Sequence, residues 1–219
     1  MGRVREKTAA PASLSPRKSP IQRRAVETHG RILDATARLL DELGVDALTT
    51  NAIANRAGVN IATLYSYFPN KFAVVTALAS RLSAQQEGLI ERALADWDRD
   101  RGWGDGVDHV VDSLVEGMRR QPGAVAIRRA MQARADLREV DRASNRRIEK
   151  ILAATLRRQG LHASAEVARV VCRCLVETAT AMVDALVAEP VTKQGPLIEE
   201  WKRMHRSYLA HYLGEAEDQ

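Results

Sequence analysis

The sequence predicts an all-α protein, and three observations predict it. Apolar residues recur at three- and four-residue spacing in the long segments between Glu27 and Tyr212. The periodic runs stop at Gly44, Gly58, Gly160 and Pro190, residues that end helices. Two of the shorter runs are preceded by side chains suited to capping a helix start, Thr49 or Thr50 and then Asn60. With 219 residues, 45% hydrophobic and 28% charged, the chain can bury one sizeable core or two small ones, as expected of a soluble globular protein.

Residues 1–22 combine Ala, Ser and Pro with basic residues and offer little to bury, which predicts a flexible arm. The net charge of +5 is modest, but Arg3, Arg5, Lys7, Arg17, Lys18, Arg23 and Arg24 stand against Glu6 alone. That excess is local and suits phosphate. The stretch is either a solvated tail or an arm that adds phosphate or minor-groove contacts beside a docked domain, and the sequence leaves both open.

From Glu27 to Leu43, the positions Ile32, Leu33, Ala35, Ala37, Leu39, Leu40 and Leu43 make an apolar side opposite Arg31, Asp34, Arg38 and Asp41. This is the first helix of a small bundle, ended by Gly44. Between Leu48 and Phe72 the pattern is two short helices and a sharp turn. Ala52, Ile53 and Ala57 face inward from the first helix, Gly58 allows the turn, and Val59, Ile61, Leu64 and Phe68 supply buried positions around the second. The arrangement is a helix-turn-helix over about residues 49–68.

The outward side of that second helix is chemically distinctive. Leu64 and Phe68 share one face, which leaves Ala62, Thr63, Ser66 and Tyr67 for the others. Small side chains let a helix backbone lie close to base edges in a major groove, and Thr and Tyr hydroxyls can donate to phosphate oxygens. Lys71 adds a charge at the end of the motif. Both phenylalanines of the chain and two of its four tyrosines fall between Tyr65 and Phe72, so some of these rings must close the core.

The run from Arg31 to Leu78 resembles the DNA-binding domain of the TetR family of transcriptional regulators. An apolar first helix ending in Leu-Gly, then Leu-Thr-Thr, Ile-Ala, Ala-Gly-Val, Thr-Leu-Tyr, an aromatic pair and Asn-Lys follow one another without gaps. The resemblance implies that Thr49 and Thr50 sit near phosphates and that Asn51 reaches a base. It also implies that Asn60, Ile61, Ala62 and Thr63 face bases or adjoining backbone, while Tyr65, Tyr67 and Lys71 hold phosphates. Asn60 and Ile61 depart from the Ser and Gly or Pro frequent in the family. No Arg, Gln or Lys lies between Val59 and Asn70, so strong bidentate base contacts are scarce, and discrimination leans on Asn51, thymine methyls and DNA shape.

A longer helix is predicted over residues 70–100, running through Val74, Val75, Leu78, Leu82, Leu89, Ile90 and Leu94. Its first half completes a DNA-binding domain over residues 23–80 and its second half enters a second domain over residues 81–213, so the helix can couple the two mechanically. Gly102, Gly104 and Gly106 break it, flanked by Trp97 and Trp103 as packing anchors or pocket walls.

Further helices carry Val107 to Met118, a segment opened by Pro122-Gly123, and a run from near Asp136 to Arg158 closed by Gly160. Short connections make neighbours antiparallel, giving a bundle. The many arginines between Arg128 and Arg147 read as a solvated face, or as holding one arginine inside the bundle for an acidic effector. The stretch from Ser164 to Glu189 is apolar on most sides, and residues 196–213 carry Leu197, Trp201, Met204, His205, Tyr208, Leu209 and Tyr212 on one face. Helices over about 164–189 and 196–213 from two copies would form a four-helix homodimer interface, as the resemblance also implies. Residues 214–219 are a tail.

Enzymatic chemistry finds little support. The five histidines are scattered, and no Gly-rich phosphate loop or carboxylate cluster appears. Cys172 and Cys174 lie two apart on a helix and point to nearly opposite sides; buried packing is expected of them rather than a disulfide, a redox pair or a metal site, which fits a reducing cytoplasm. No apolar leader or membrane span is expected, since even residues 163–188 carry five charges. No cofactor is expected. The function expected is a homodimeric regulator on double-stranded operator DNA, a repressor released by a small, largely apolar effector. Trp103, Leu114, Met118, Met131, Leu152 and Leu175 are the candidate pocket residues. The alternatives are a ligand-independent regulator or activator with the same head, and a helical enzyme or interaction protein that carries it.

Overall fold

A computed structural model describes residues 23–97 and 102–214. The predicted arm at 1–22, residues 98–101 and all of the tail beyond Gly214 lie outside the described residues. Among the described residues the regular structure is helical throughout: α1 (Arg23–Ala47), α2 (Thr50–Ala57), α3 (Ile61–Tyr67), α4 (Lys71–Ala95), α5 (Trp103–Arg120), α6 (Ala124–Ala133), α7 (Ala135–Arg158), α8 (Ala165–Ala188) and α9 (Gln194–Leu213), with a 3-10 turn at Val191–Lys193. The chain forms two compact units that divide between Leu78 and Ala79, inside α4.

The first unit is built by α1 to α3 and the start of α4. Its α1 begins at Arg23, earlier than the apolar pattern alone predicts, and Gly44 interrupts it at φ 73°, ψ 176° before a last turn to Ala47. A residue with a Cβ resists that φ. The apolar stripe closes on Ile32, Leu40, Leu48, Ile53, Leu64, Phe68 and Leu78, all fully buried. Thr36 is buried among them because its hydroxyl donates to the Ile32 carbonyl at 2.7 Å.

The second unit packs α7 on α8 and α6, α5 on α9, and α8 on α9. Ile127, Leu137, Leu156 and Trp201 are among its most buried side chains. Two ion pairs bind α9 to α5, Lys202 to Asp112 at 2.8 Å and Arg206 to Asp108 at 2.5 Å. Buried Gln194 joins the ends of three elements: its amide nitrogen donates to the carbonyls of Leu186 (2.8 Å) and Glu189 (3.2 Å), and its oxygen accepts from Arg119 at 2.8 Å. These bonds satisfy carbonyls left open at the end of α8. They also explain why α9 starts two residues before Pro196, where the sequence places its opening.

Two expectations need correction here. The glycines read as a break up to Gly106 are largely helical, since α5 starts at Trp103 and buries Gly104 and Gly106. A Cβ on Gly106 would lie 2.2 Å from Cε2 of Trp97, so this glycine admits the indole against the helix backbone. Cys174 is exposed rather than buried, while Cys172 is buried as expected and its thiol is pushed up to about 11 by burial and by Glu149.

Candidate functional site

The α2–α3 pair is assembled by caps and one turn. Thr49 caps α2, its hydroxyl accepting from the Ala52 amide at 3.1 Å, and Asn60 caps α3, its Oδ1 accepting from the Ala62 amide at 2.8 Å. Between them Gly58 takes the left-handed conformation at φ 63°, ψ 40°, and its carbonyl accepts from Arg31 of α1 at 3.1 Å. Arg56 of α2 grips Glu42 of α1 through two bonds of 2.8 and 2.6 Å. The hydrogen bond from Arg56 holds the Glu42 carboxyl below its usual range, and the same bond raises Arg56. Arg56 is thereby engaged within the unit.

Of the residues expected to meet DNA, Thr49, Asn51, Asn60, Ala62 and Tyr65 are exposed, and Thr50, Ile61, Thr63, Tyr67 and Lys71 are half-buried. Leu64 and Phe68 anchor the opposite side of α3 in the core. The Tyr65 and Thr50 hydroxyls lie 3.2 Å apart, bringing the start of α2 and the middle of α3 together at the surface. The Asn60 cap occupies Oδ1, so an outward contact from this side chain is a donation by its amide nitrogen. Ser66 turns its hydroxyl back to the Thr63 carbonyl at 2.7 Å.

Lys71 requires a correction. Its ammonium donates to the carbonyls of Leu48 (2.9 Å), Asp46 (3.2 Å) and Val45 (3.5 Å), and lies 5.3 Å from the centre of the Phe72 ring. An ammonium has three protons, and here they are turned inward to the last turn of α1 and to Leu48 just before α2. Tyr67 packs edge-on to His29 with ring centres 6.2 Å apart, and His29 also stacks on Phe68 at 5.1 Å. The residues sequence reading missed are Arg31, Glu42 and Arg56; each bonds across 14 or more positions, and no local pattern marks such pairs.

The second unit holds a partly open cavity of about 90 Å³ and a smaller one of about 40 Å³ that shares Gln86, Arg128, Asp141 and Val183 with it. Leu114, Leu152 and Leu175 line the larger cavity, and Met118 and Met131 line the smaller. Trp103 lines neither; it is buried in the core formed with Trp97, Val107 and Leu161. The larger cavity is mainly aliphatic, with Ser144, Asn145, Thr180 and His205 among its polar wall groups. Arg128 bonds Asp141 at 2.7 Å and also bonds Asp184, so it is not an open receptor for an acid. Burial opposes its charge, but the two carboxylates raise its pKa.

His205 is held down to about 4 by burial and is therefore neutral near pH 7. The Thr178 hydroxyl lies 2.9 Å from His205 Nε2 and 2.7 Å from the Cys174 carbonyl. Its single proton can serve the carbonyl while Nε2–H donates to the hydroxyl oxygen. Among the described residues no group of His, Cys, Asp and Glu is arranged to hold a metal ion, and no helix is long and apolar enough to cross a membrane.

Comparison with known proteins places both units. Residues 32–78 match the family profile "Bacterial regulatory proteins, tetR family", and residues 103–209 match "Tetracyclin repressor-like, C-terminal domain". A crystal structure of a TetR-family transcriptional regulator from Streptomyces coelicolor is 30% identical, covers 85% of this chain and 99% of its own, and superposes with a TM-score of 0.66. An uncharacterized HTH-type transcriptional regulator of Bacillus subtilis, YvkB, is 40% identical over 100 residues, 46% of this chain and 50% of that protein. The class A tetracycline repressor from transposon 1721 of Escherichia coli is 42% identical over 67 residues, 30% of this chain and 31% of that protein. The chain thus spans half or less of the length of these two curated relatives.

Proposed function

The chain belongs to the TetR family of transcriptional regulators and binds DNA, and from that premise we propose that it is a homodimeric repressor released from a palindromic operator by a small, largely apolar effector. The observation that carries the DNA reading is the outward side of α3, where Asn60, Ala62 and Tyr65 are exposed on a helix anchored by Leu64 and Phe68. The small Ala62 lets the helix backbone approach base edges, and Thr49, Thr50 and Tyr65 flank it with hydroxyls for phosphate. Two such heads enter successive major grooves of the operator, about one helical turn apart or somewhat more. Such a regulator works in the cytoplasm, where the chromosome is.

The dimer surface we assign to α8 and α9. Along α8 the exposed side carries Val167, Val170, Cys174 and Ala181 at helical spacing, and α9 exposes Met204. An apolar stripe of this kind suits a second copy of itself. Release from DNA follows from a population shift: an effector in the α5–α9 cavity induces only as far as it prefers the arrangement that does not fit the operator.

Gel shifts on the region upstream of the protein's own gene test this reading. Wild type should bind with an affinity that falls steeply as salt rises, and Ala62→Glu, which places a carboxylate at the groove, should bind at least about tenfold more weakly with unchanged thermal stability. Salt-independent binding, or equal affinity of the variant, would remove α3 from the interface.

A further inference from the structure

The larger cavity has a polar end whose charges do not balance. On α7, Asp141 and Asn145 lie one turn apart; on α8, Thr180 and Asp184 do the same. The two pairs are tied together across the helices, Asn145 donating to Thr180 at 3.1 Å and Arg128 of α6 bridging Asp141 and Asp184. Arg128 and Asp141 line the cavity themselves. Their side chains are only 14% and 21% exposed, and that of Asp184 is 28% exposed. One guanidinium therefore faces two carboxylates in a poorly hydrated place, which leaves one negative charge in excess. The other polar wall groups, Gln86, Ser144, Asn145 and Thr180, are uncharged, and His205 is neutral near pH 7. Glu87, on α4 beside Gln86, is neutralised by Arg147 through bonds of 2.7 and 2.6 Å. Away from this end the wall is aliphatic and aromatic, from Ile90, Val111 and Leu114 to Trp201.

We propose that the cavity takes an amphiphilic monocation: a protonated amine whose head lies against Asp141 and Asn145 and whose hydrocarbon part fills the aliphatic end. This rests on the reading of the cavity as an effector site and names the class of effector. The chemistry behind it is charge complementarity in a low dielectric. A cation cancels the surplus charge, whereas a carboxylate adds a second one beside Asp141 after losing its own hydration. Burying an uncharged head group leaves the imbalance as it was. Arg128 cannot reverse the preference, because its charge is already matched by Asp141 and Asp184.

The test uses the whole chain and three probes with the same tail, hexylamine, hexanol and hexanoate, measured by titration calorimetry at neutral pH. The amine should bind at least about tenfold more tightly than the carboxylate, with the alcohol between them. Equal affinities, the carboxylate binding tightest, or no binding of the amine would overturn the proposal. Asp141→Asn should bring the amine down to the affinity of the alcohol. Asp184→Asn removes the same unit of charge from behind Arg128 without touching the cavity wall, and should reduce the preference in the same direction. A full amine preference in a folded Asp141→Asn protein would also overturn it, and if neither variant folds the ranking on wild type decides. Operator release is read separately. If the amine binds but DNA affinity is unchanged, induction through this cavity fails while the assignment of ligand class stands.

Discussion

Lys71 and His205 show how single side chains set the conditions under which each unit holds together. Lys71 stitches the end of α1 and Leu48 beyond it to the start of α4 through its three carbonyl bonds. Lys71→Met keeps much of the aliphatic stem and removes the donors, so it should lower the stability of the first unit by about 1–3 kcal/mol in urea unfolding. The salt dependence of DNA binding should stay that of wild type; a shallower slope would return Lys71 to the phosphates. His205 acts through pH. Its folded value of about 4 lies below the ordinary 6.5 because burial disfavours the charged ring. Between those two values the unfolded chain takes up a proton that the folded chain refuses. Its contribution is therefore whole above about pH 6.5 and is lost as pH falls toward 4, by about 3 kcal/mol in total. Urea midpoints followed from neutral pH to about pH 4.5 should fall further for wild type than for His205→Gln; parallel curves would show that the ring titrates normally.

The helices were legible where their cause is local. Periodicity located α1 to α4 and α6 to α9, and capping chemistry placed Thr49 and Asn60 at helix starts, because each of these acts within a few residues. The start of α5 was illegible for a tertiary reason. Gly104 and Gly106 read as breakers, yet Trp97 requires the missing Cβ of Gly106, so packing overrides propensity there. The inward faces that carry Leu114, Leu152 and Leu175 could be read from spacing, whereas the Arg128 bridge joins residues 13 and 56 positions away and could not. On α8 the element carries its own prediction. Val170→Asp puts a charge on the exposed apolar stripe without entering the core, so the proposed dimer should dissociate at least about tenfold more readily in sedimentation experiments while helix content is kept. An unchanged dimer would move the interface off this face.

At the scale of the molecule, the proposed repressor ties ligand affinity to DNA affinity. If an effector weakens operator binding by some factor, the operator must weaken effector binding by the same factor. Calorimetry with and without a saturating operator duplex should therefore return the factor measured by gel shift; two different factors would mean that the two ligands do not compete through one equilibrium. The arrangement of the two cavities bears on how many effectors such an equilibrium could admit. Gln86, Arg128, Asp141 and Val183 line both of them. Side chains shared in this way rearrange by rotamer changes, at far lower cost than moving a helix. In the proposed repressor a short guest would need the larger pocket alone, and one long enough to reach the smaller would have to pass these four side chains, so the ion pairs that hold Arg128 would set the length of guest admitted.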